Sequence, residues 1–107
     1  MAWSVQGENL QMCEADWGLS LPITIEGTTL TEHDSIRMTF KKAKNGETII
    51  TKDFSQITQN TMSLTLTEAE SALFPVGSYV YTLDWYQDGA FMCNIIPTAA
   101  FRVVDKA

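Results

Sequence analysis

Apolar and polar residues alternate with a period of two along most of this chain, a period that belongs to strands rather than helices. From Ser35 to Lys44, Ile36, Met38 and Phe40 fall on one side and Arg37, Thr39 and Lys41 on the other. That predicts a half-buried strand. Glu47 to Phe54 reads as its partner. Asn45-Gly46 between them predicts a two-residue type I′ turn, because both central positions need positive φ. Leu19 to Glu26 alternates through Leu21, Ile23 and Ile25, and Pro22 places it at an edge or a strand start. Loops are predicted from Gly27-Thr28-Thr29 through Glu32-His33-Asp34, and from Ser55 to Asn60.

Thr61 to Thr67 is a further strand with Met62, Leu64 and Leu66 inward. Thr67-Glu68-Ala69-Glu70 has the spacing of a capping box, so one helical turn is expected over Ala69, Ala72 and Leu73, ended before Pro75. Ser78 to Gln87 puts Tyr79, Tyr81, Leu83 and Trp85 on one face and Val80, Thr82, Asp84 and Tyr86 on the other. Asp88-Gly89 predicts a second tight turn. Ala90 to Ile96 pairs back, Pro97 breaks the strand, and Ala99 to Val104 forms the last one. Residues 1–18 have no clean period and read as a first short strand or a docking arm. These elements amount to about seven strands, two tight hairpins and one helical turn, with no βαβ spacing, repeat or linker. The expectation is an all-β chain: an antiparallel β-sandwich, immunoglobulin-like in the broad sense, though without the Cys…Trp…Cys spacing of true immunoglobulin domains.

At 107 residues the chain suits one domain over 1–107, with 1–18 as an N-terminal arm. Charge narrows its partners. The formal net charge is −6, and the seven Lys and Arg include only one dense cluster, Lys41, Lys42 and Lys44. An acidic chain without a basic stripe is poorly suited to nucleic acid, whose binding rests on phosphate contacts. No stretch reaches the roughly 20 apolar residues that span a bilayer, so no membrane role is expected. The segment from Met1 to Glu8 lacks the basic and apolar parts of a signal peptide. The chain is therefore expected to stay in the cell that makes it, or to leave by lysis.

Candidate chemistry is sparse. Cys13 and Cys93 match no metal or redox spacing. Cys93, among Phe91, Met92, Ile95 and Ile96, reads as a small buried hydrophobe. Both are expected as free thiols, with a 13–93 bridge as the alternative. His33, flanked by Glu32 and Asp34, reads as part of a solvated charged loop, since one imidazole without a second ligand is weak evidence for zinc. Glu14, Asp16 and Asp84 could form only a fortuitous oxygen site, because no calcium-loop pattern is present. No phosphate-binding Gly-rich loop or Gly-x-Ser-x-Gly elbow occurs. No catalytic residue, metal or cofactor is expected. The aromatic residues say more. Tyr79, Tyr81 and Trp85 are expected in the core, whereas Tyr86 lies on the opposite face, where an exposed ring serves a partner surface or a sugar. Trp3 and Trp17 either close one end of the barrel or make intermolecular contacts.

One resemblance runs through these residues. Leu64-Thr65-Leu66-Thr67, Glu70-Ser71, Phe74-Pro75-Val76-Gly77-Ser78-Tyr79-Val80-Tyr81-Thr82-Leu83, Asp88-Gly89 and Phe101-Arg102-Val103 occur in that order. The run resembles the immunoglobulin-like N-terminal domain of phage baseplate upper proteins and related tail-associated proteins of Firmicutes phages. Asp34 to Phe40 is similar to that family's strand after its first polar loop, and Asp16-Trp17-Gly18 to its Gly-Asp-aromatic start. The family commonly has Gly before the final Phe, where this chain has Ala99-Ala100. The resemblance covers about residues 16–105, and implies assembly rather than catalysis. The expected role is a non-enzymatic structural module of a phage or prophage particle, in the tail or baseplate. Its partners would be other phage structural proteins or copies of itself. It would reside in the virion, or in the host cytoplasm before assembly. Docking is expected through Trp3, Trp17, Tyr86, Asp88 and Gly89. The alternative is a carbohydrate-binding or adhesion module.

Overall fold

The computed structural model describes residues 3–6, 9–14, 18, 20–25, 29–55, 57 and 60–105. It is all-β apart from one helical turn. The strands are β1 (Trp3–Gln6), β2 (Asn9–Cys13), β3 (Ser20–Thr24), β4 (Asp34–Lys41), β5 (Thr48–Ser55), β6 (Thr61–Thr65), β7 (Gly77–Gln87) and β8 (Ala90–Val104), with α1 (Glu68–Ser71) between β6 and β7. The segment before residue 18 thus contributes two strands. Six strands form one sheet in the order β1-β2-β8-β7-β4-β5, and β3 pairs with β6 in a second. The expectation of a purely antiparallel arrangement fails at one place: β2 runs parallel to β8, with Leu10 opposite Phe101 and Cys13 opposite Val104. Nearly the whole chain separates these two strands, so no tight hairpin dictates their direction.

One core serves both sheets. Alternation delivers Ile36, Met38 and Phe40 from β4, Tyr79, Tyr81 and Leu83 from β7, and Phe101 and Val103 from β8 to the same buried face. Leu21, Met62 and Leu64 from the smaller sheet, and Leu66 just beyond β6, join the same core. Phe40 is the hub: its ring lies 5.5 Å from Phe74, 5.2 Å from Phe101 and 6.2 Å from Tyr81. The contacts with Phe74 and Phe101 are edge-to-face, and such pairs add about 0.5–1.5 kcal/mol each beyond area burial.

Thr67 caps α1 as its spacing predicts. Its hydroxyl accepts from the Glu70 N–H, and the Glu70 carboxylate accepts from the Thr67 N–H. The apolar side of that turn differs from expectation, because the helix closes at Ser71. Leu73 is left exposed, and Phe74 swings into the core instead. Lys52 of β5 reaches the same Glu70 carboxylate at 2.9 Å and ties the large sheet to α1. Burial acts to raise the Glu70 pKa, but the Thr67 N–H and the Lys52 ammonium outweigh it and hold it below its ordinary value.

Two further expectations are corrected. Asn45-Gly46 makes no type I′ turn, since neither residue has positive φ. The β4–β5 pairing slips between Phe40 and Lys41, which moves the reversal one residue earlier. Ala43 O accepts from the Gly46 N–H at 2.8 Å, with Lys44 and Asn45 at the corners. Pro97 does not end a strand either. β8 runs through it, because three register slips against β7 absorb extra residues: at Met92, at Ile95 and at Pro97–Thr98. Bulges are where a strand tolerates a residue that donates no ladder hydrogen bond.

Candidate functional site

Among the residues expected to dock partners, Tyr86, Asp88 and Gly89 come together at the β7–β8 hairpin. Here the two-residue turn forms as predicted. Gln87 pairs with Ala90, and Asp88 and Gly89 take φ of 50° and 82°. Glycine meets no steric penalty there, and Asp is among the few residues that tolerate it. The turn is fastened from outside the hairpin. The Asp88 N–H donates to His33 O at 2.8 Å, and His33 Nδ1 lies 3.0 Å from the Asp88 carboxylate. His33 therefore sits in an exposed, charged loop as expected, but it also latches the tip.

Beneath this latch lies Asp34, only 2% exposed. One carboxylate oxygen accepts from the Thr31 N–H at 2.7 Å and the Thr31 hydroxyl at 3.1 Å. The other accepts from Trp85 Nε1 at 2.8 Å and Gln87 Nε2 at 3.3 Å. The Thr31 N–H is the chief reason that the Asp34 pKa lies below its ordinary value. Burial opposes it, and Trp85, the Thr31 hydroxyl and Gln87 add to it. Asp34 thus joins the loop to the far end of β7. Treating it as one more solvated acid of Glu32-His33-Asp34 missed this. The available signal was Thr31 three residues before Asp34, a spacing at which side chains fold back onto the backbone.

The outer face of the large sheet begins beside the hairpin. Tyr86 is half-buried, its ring 5.7 Å from Phe91 at 73°. The Arg37 guanidinium lies 5.1 Å from the centre of the Tyr86 ring, and Arg37 Nε donates to Asp53 at 2.8 Å. That hydrogen bond is the main cause that raises the Arg37 pKa. In register, Arg37 faces Asp84, and Asp84 faces Asn94, whose amide donates to it. Phe91 and Met92 are 54% and 45% exposed. The β8 slip at Met92 breaks the alternation and leaves both on the surface. Cys93 is also exposed, not buried as its apolar neighbours suggested, although it lies opposite Trp85. No disulfide joins Cys13 to Cys93. Cys13 pairs with Val104 while Cys93 pairs with Trp85, so they attach to opposite ends of β8.

The remaining expected residues lie elsewhere. The β1 backbone places Trp3 opposite Met12, on the outermost strand and toward the end of the sheet where Gly77 meets Val103. Trp17 falls outside the described residues, as does Asp16. Glu14 donates its N–H to Val104 O, remote from Asp84, so the acidic trio is not assembled. Among the described residues no group of three His, Cys, Asp or Glu side chains is placed to hold a metal ion. No helix among them is long and apolar enough to cross a membrane. The hairpin end thus brings the half-buried Tyr86 ring, the exposed Phe91 ring, the Arg37 guanidinium, the Asp53 and Asp84 carboxylates and the Asn94 amide onto one sheet face. No protein-family model matches the chain, and no curated protein is significantly similar to it.

Proposed function

We propose that the chain is a non-enzymatic structural module of a phage or prophage particle, tail- or baseplate-associated, built as an immunoglobulin-like sandwich. The observation that carries this reading is the pair of open edges on the large sheet. β1 and β5 each pair with one neighbour only among the described residues, so each edge offers backbone donors and acceptors to another chain. Strand addition at such an edge gives a closed ring if the rotation closes and a filament if it does not.

Support for the immunoglobulin-like assignment comes from strand order. β8-β7-β4-β5 facing β3-β6 corresponds to the G-F-C-C′ and B-E strands of a variable-type sandwich. The Tyr79 hydroxyl, at the start of β7, donates back to Pro75 O, the arrangement of a tyrosine corner. The sequence resemblance supplies the phage setting. Docking is assigned to the β1 edge with Trp3 and to the Asp88-Gly89 tip, the partner being another particle protein or a second copy. The protein resides in the virion, or in host cytoplasm before assembly.

Mass spectrometry of density-purified particles from an induced culture of the bacterium carrying the gene tests this reading. Stoichiometric peptides from the chain are expected in intact particles, and Trp3→Ala should reduce incorporation. Consistent absence from particles, with abundant protein in the lysate, would sink it.

A further inference from the structure

We infer that the outer face of the large sheet, at its hairpin end, is a binding site for an uncharged pyranose oligosaccharide. The seat is the Tyr86–Phe91 pair, and the hydrogen-bonding groups are Arg37, Asp53, Asp84 and Asn94. This goes beyond the assembly reading and does not depend on it, since it uses the sheet's face rather than its edges.

Three observations carry it. The Phe91 ring is presented rather than packed away: it is 54% exposed, and it is seated edge-to-face against the half-buried Tyr86. Saccharide rings have apolar C–H faces that stack on such platforms. The polar groups form the next row of the same face. Residues two apart on a strand are separated by about 7 Å, so Asp84 and Arg37 lie within reach of the hydroxyls of a sugar seated on the rings. These groups are also preorganised in pairs, Arg37 with Asp53 and Asn94 with Asp84. A carboxylate has about four acceptor sites and a guanidinium five donors, so each pair keeps capacity for vicinal hydroxyls.

The charge balance selects among ligands. Arg37 and Asp53 cancel, and Asp84 leaves the patch slightly negative, so an anionic glycan is disfavoured. The rings and Met92 provide only a small apolar area, ringed by polar groups. That suits a polyhydroxylated ligand better than a protein partner, which needs about 1,000 Å² or more of buried surface. The β8 slips, at Met92 and Ile95, sit on either side of Asn94 and set which side chains face outward. Bulges that re-aim side chains are enriched beside binding sites.

The test is a backbone-amide NMR titration of the whole chain. The probes are β-1,4-linked glucose and N-acetylglucosamine tetramers, α-linked glucose and mannose tetramers, and a uronate-containing tetramer. At least one neutral probe should give saturable shifts confined to residues 35–37, 52–54, 84–86 and 91–94, with the uronate probe weaker. Phe91→Ala and Asn94→Ala should each weaken binding by about tenfold or more, equivalent to about 1.4 kcal/mol. Leu73→Ala, at the opposite end, should not change it. Both altered side chains are solvent-exposed, and the dispersed spectrum reports folding in the same experiment. The inference is overturned if no neutral probe gives saturable shifts up to about 10 mM, a free energy of only a few kcal/mol. Shifts elsewhere on the molecule, or binding indifferent to both substitutions in folded protein, would overturn it equally.

Discussion

The β4–β5 and β7–β8 hairpins of the large sheet use closely related dipeptides and reach opposite outcomes. Asp88-Gly89 occupies a two-residue loop with positive φ at both positions, and its strands pair up to the turn. Asn45-Gly46, in principle at least as good a type I′ former, instead ends a reversal with ordinary φ, in a segment of six residues between Lys41 and Thr48. The difference lies in the strands. The β4–β5 slip at Phe40/Lys41 shifts the reversal by one residue, so Lys44 and Asn45 take the corners and Gly46 closes them. Gly46 is then required for a different reason from Gly89. A Cβ on Gly46 would lie 3.1 Å from Ala43 N and 3.3 Å from Ala43 O, whereas one on Gly89 would meet nothing but would need a φ of 82°. A turn dipeptide states what a loop can do, and the register of its strands decides what it does.

The largest expected break in this comparison comes from Asp34→Ala. It removes the acceptor for Thr31, Trp85 and Gln87. We expect a loss of about 2–4 kcal/mol, since partners of a buried charged acceptor are left unsatisfied. Urea unfolding measures the loss. Amide exchange should accelerate at residues 88–90 but not at 43–46, and equal acceleration at both turns would contradict the assigned role of Asp34.

Next come the two glycines. Gly89→Ala should cost about 1–2 kcal/mol, the left-handed penalty for an L-residue, with Gly89→Asn cheaper because Asn tolerates that conformation. At Gly46 the cost is a close contact, so Ala and Asn should be about equally unfavourable, below about 1 kcal/mol. Thermal melts of the four variants decide this: an Asn advantage at position 46 would mean that the turn there needs positive φ after all.

Acid provides a smaller effect. The folded-state pKa of Asp34 lies below its ordinary 3.8. Its contribution to stability is therefore fully present above that value and is lost as pH falls through the folded-state pKa. Glu70, lowered from 4.5, acts in the same direction at the α1 corner. Stability followed from pH 5 down should fall, and less steeply in Asp34→Asn. An unchanged slope in that variant would remove Asp34 as a contributor.

The smallest effect is a gain. The Ser71 hydroxyl is buried without a hydrogen-bond partner among the described residues. Ser71→Ala should stabilise the α1 end by about 0.5–1 kcal/mol without touching the Asp88-Gly89 end, read as a higher urea midpoint. A lower midpoint would indicate that the hydroxyl has a partner.

Much of the molecule was legible along the chain. Period-two alternation marked β4, β6 and the first half of β7, because one face of each is buried and the other is not. The capping box at Thr67 and the Asp88-Gly89 turn were legible because their hydrogen bonds and φ requirements are satisfied within a few residues. The same locality exposed Tyr86, Asp88 and Gly89 as neighbours. It did not reveal Phe91 and Met92 as surface residues, since an apolar run reads as core until bulges are counted.

Local chemistry, then, determined the all-β character, the helical turn and one of the two tight turns expected from the sequence. The tertiary structure alone decided the parallel β2–β8 pairing, the continuity of β8 through Pro97, the burial of Asp34 under Trp85, and the gathering of Arg37, Asp84 and Asn94 beside the Tyr86–Phe91 pair. Each of those joins residues distant in sequence or depends on register. Register is set by how whole strands bury their faces together, which no short segment encodes by itself.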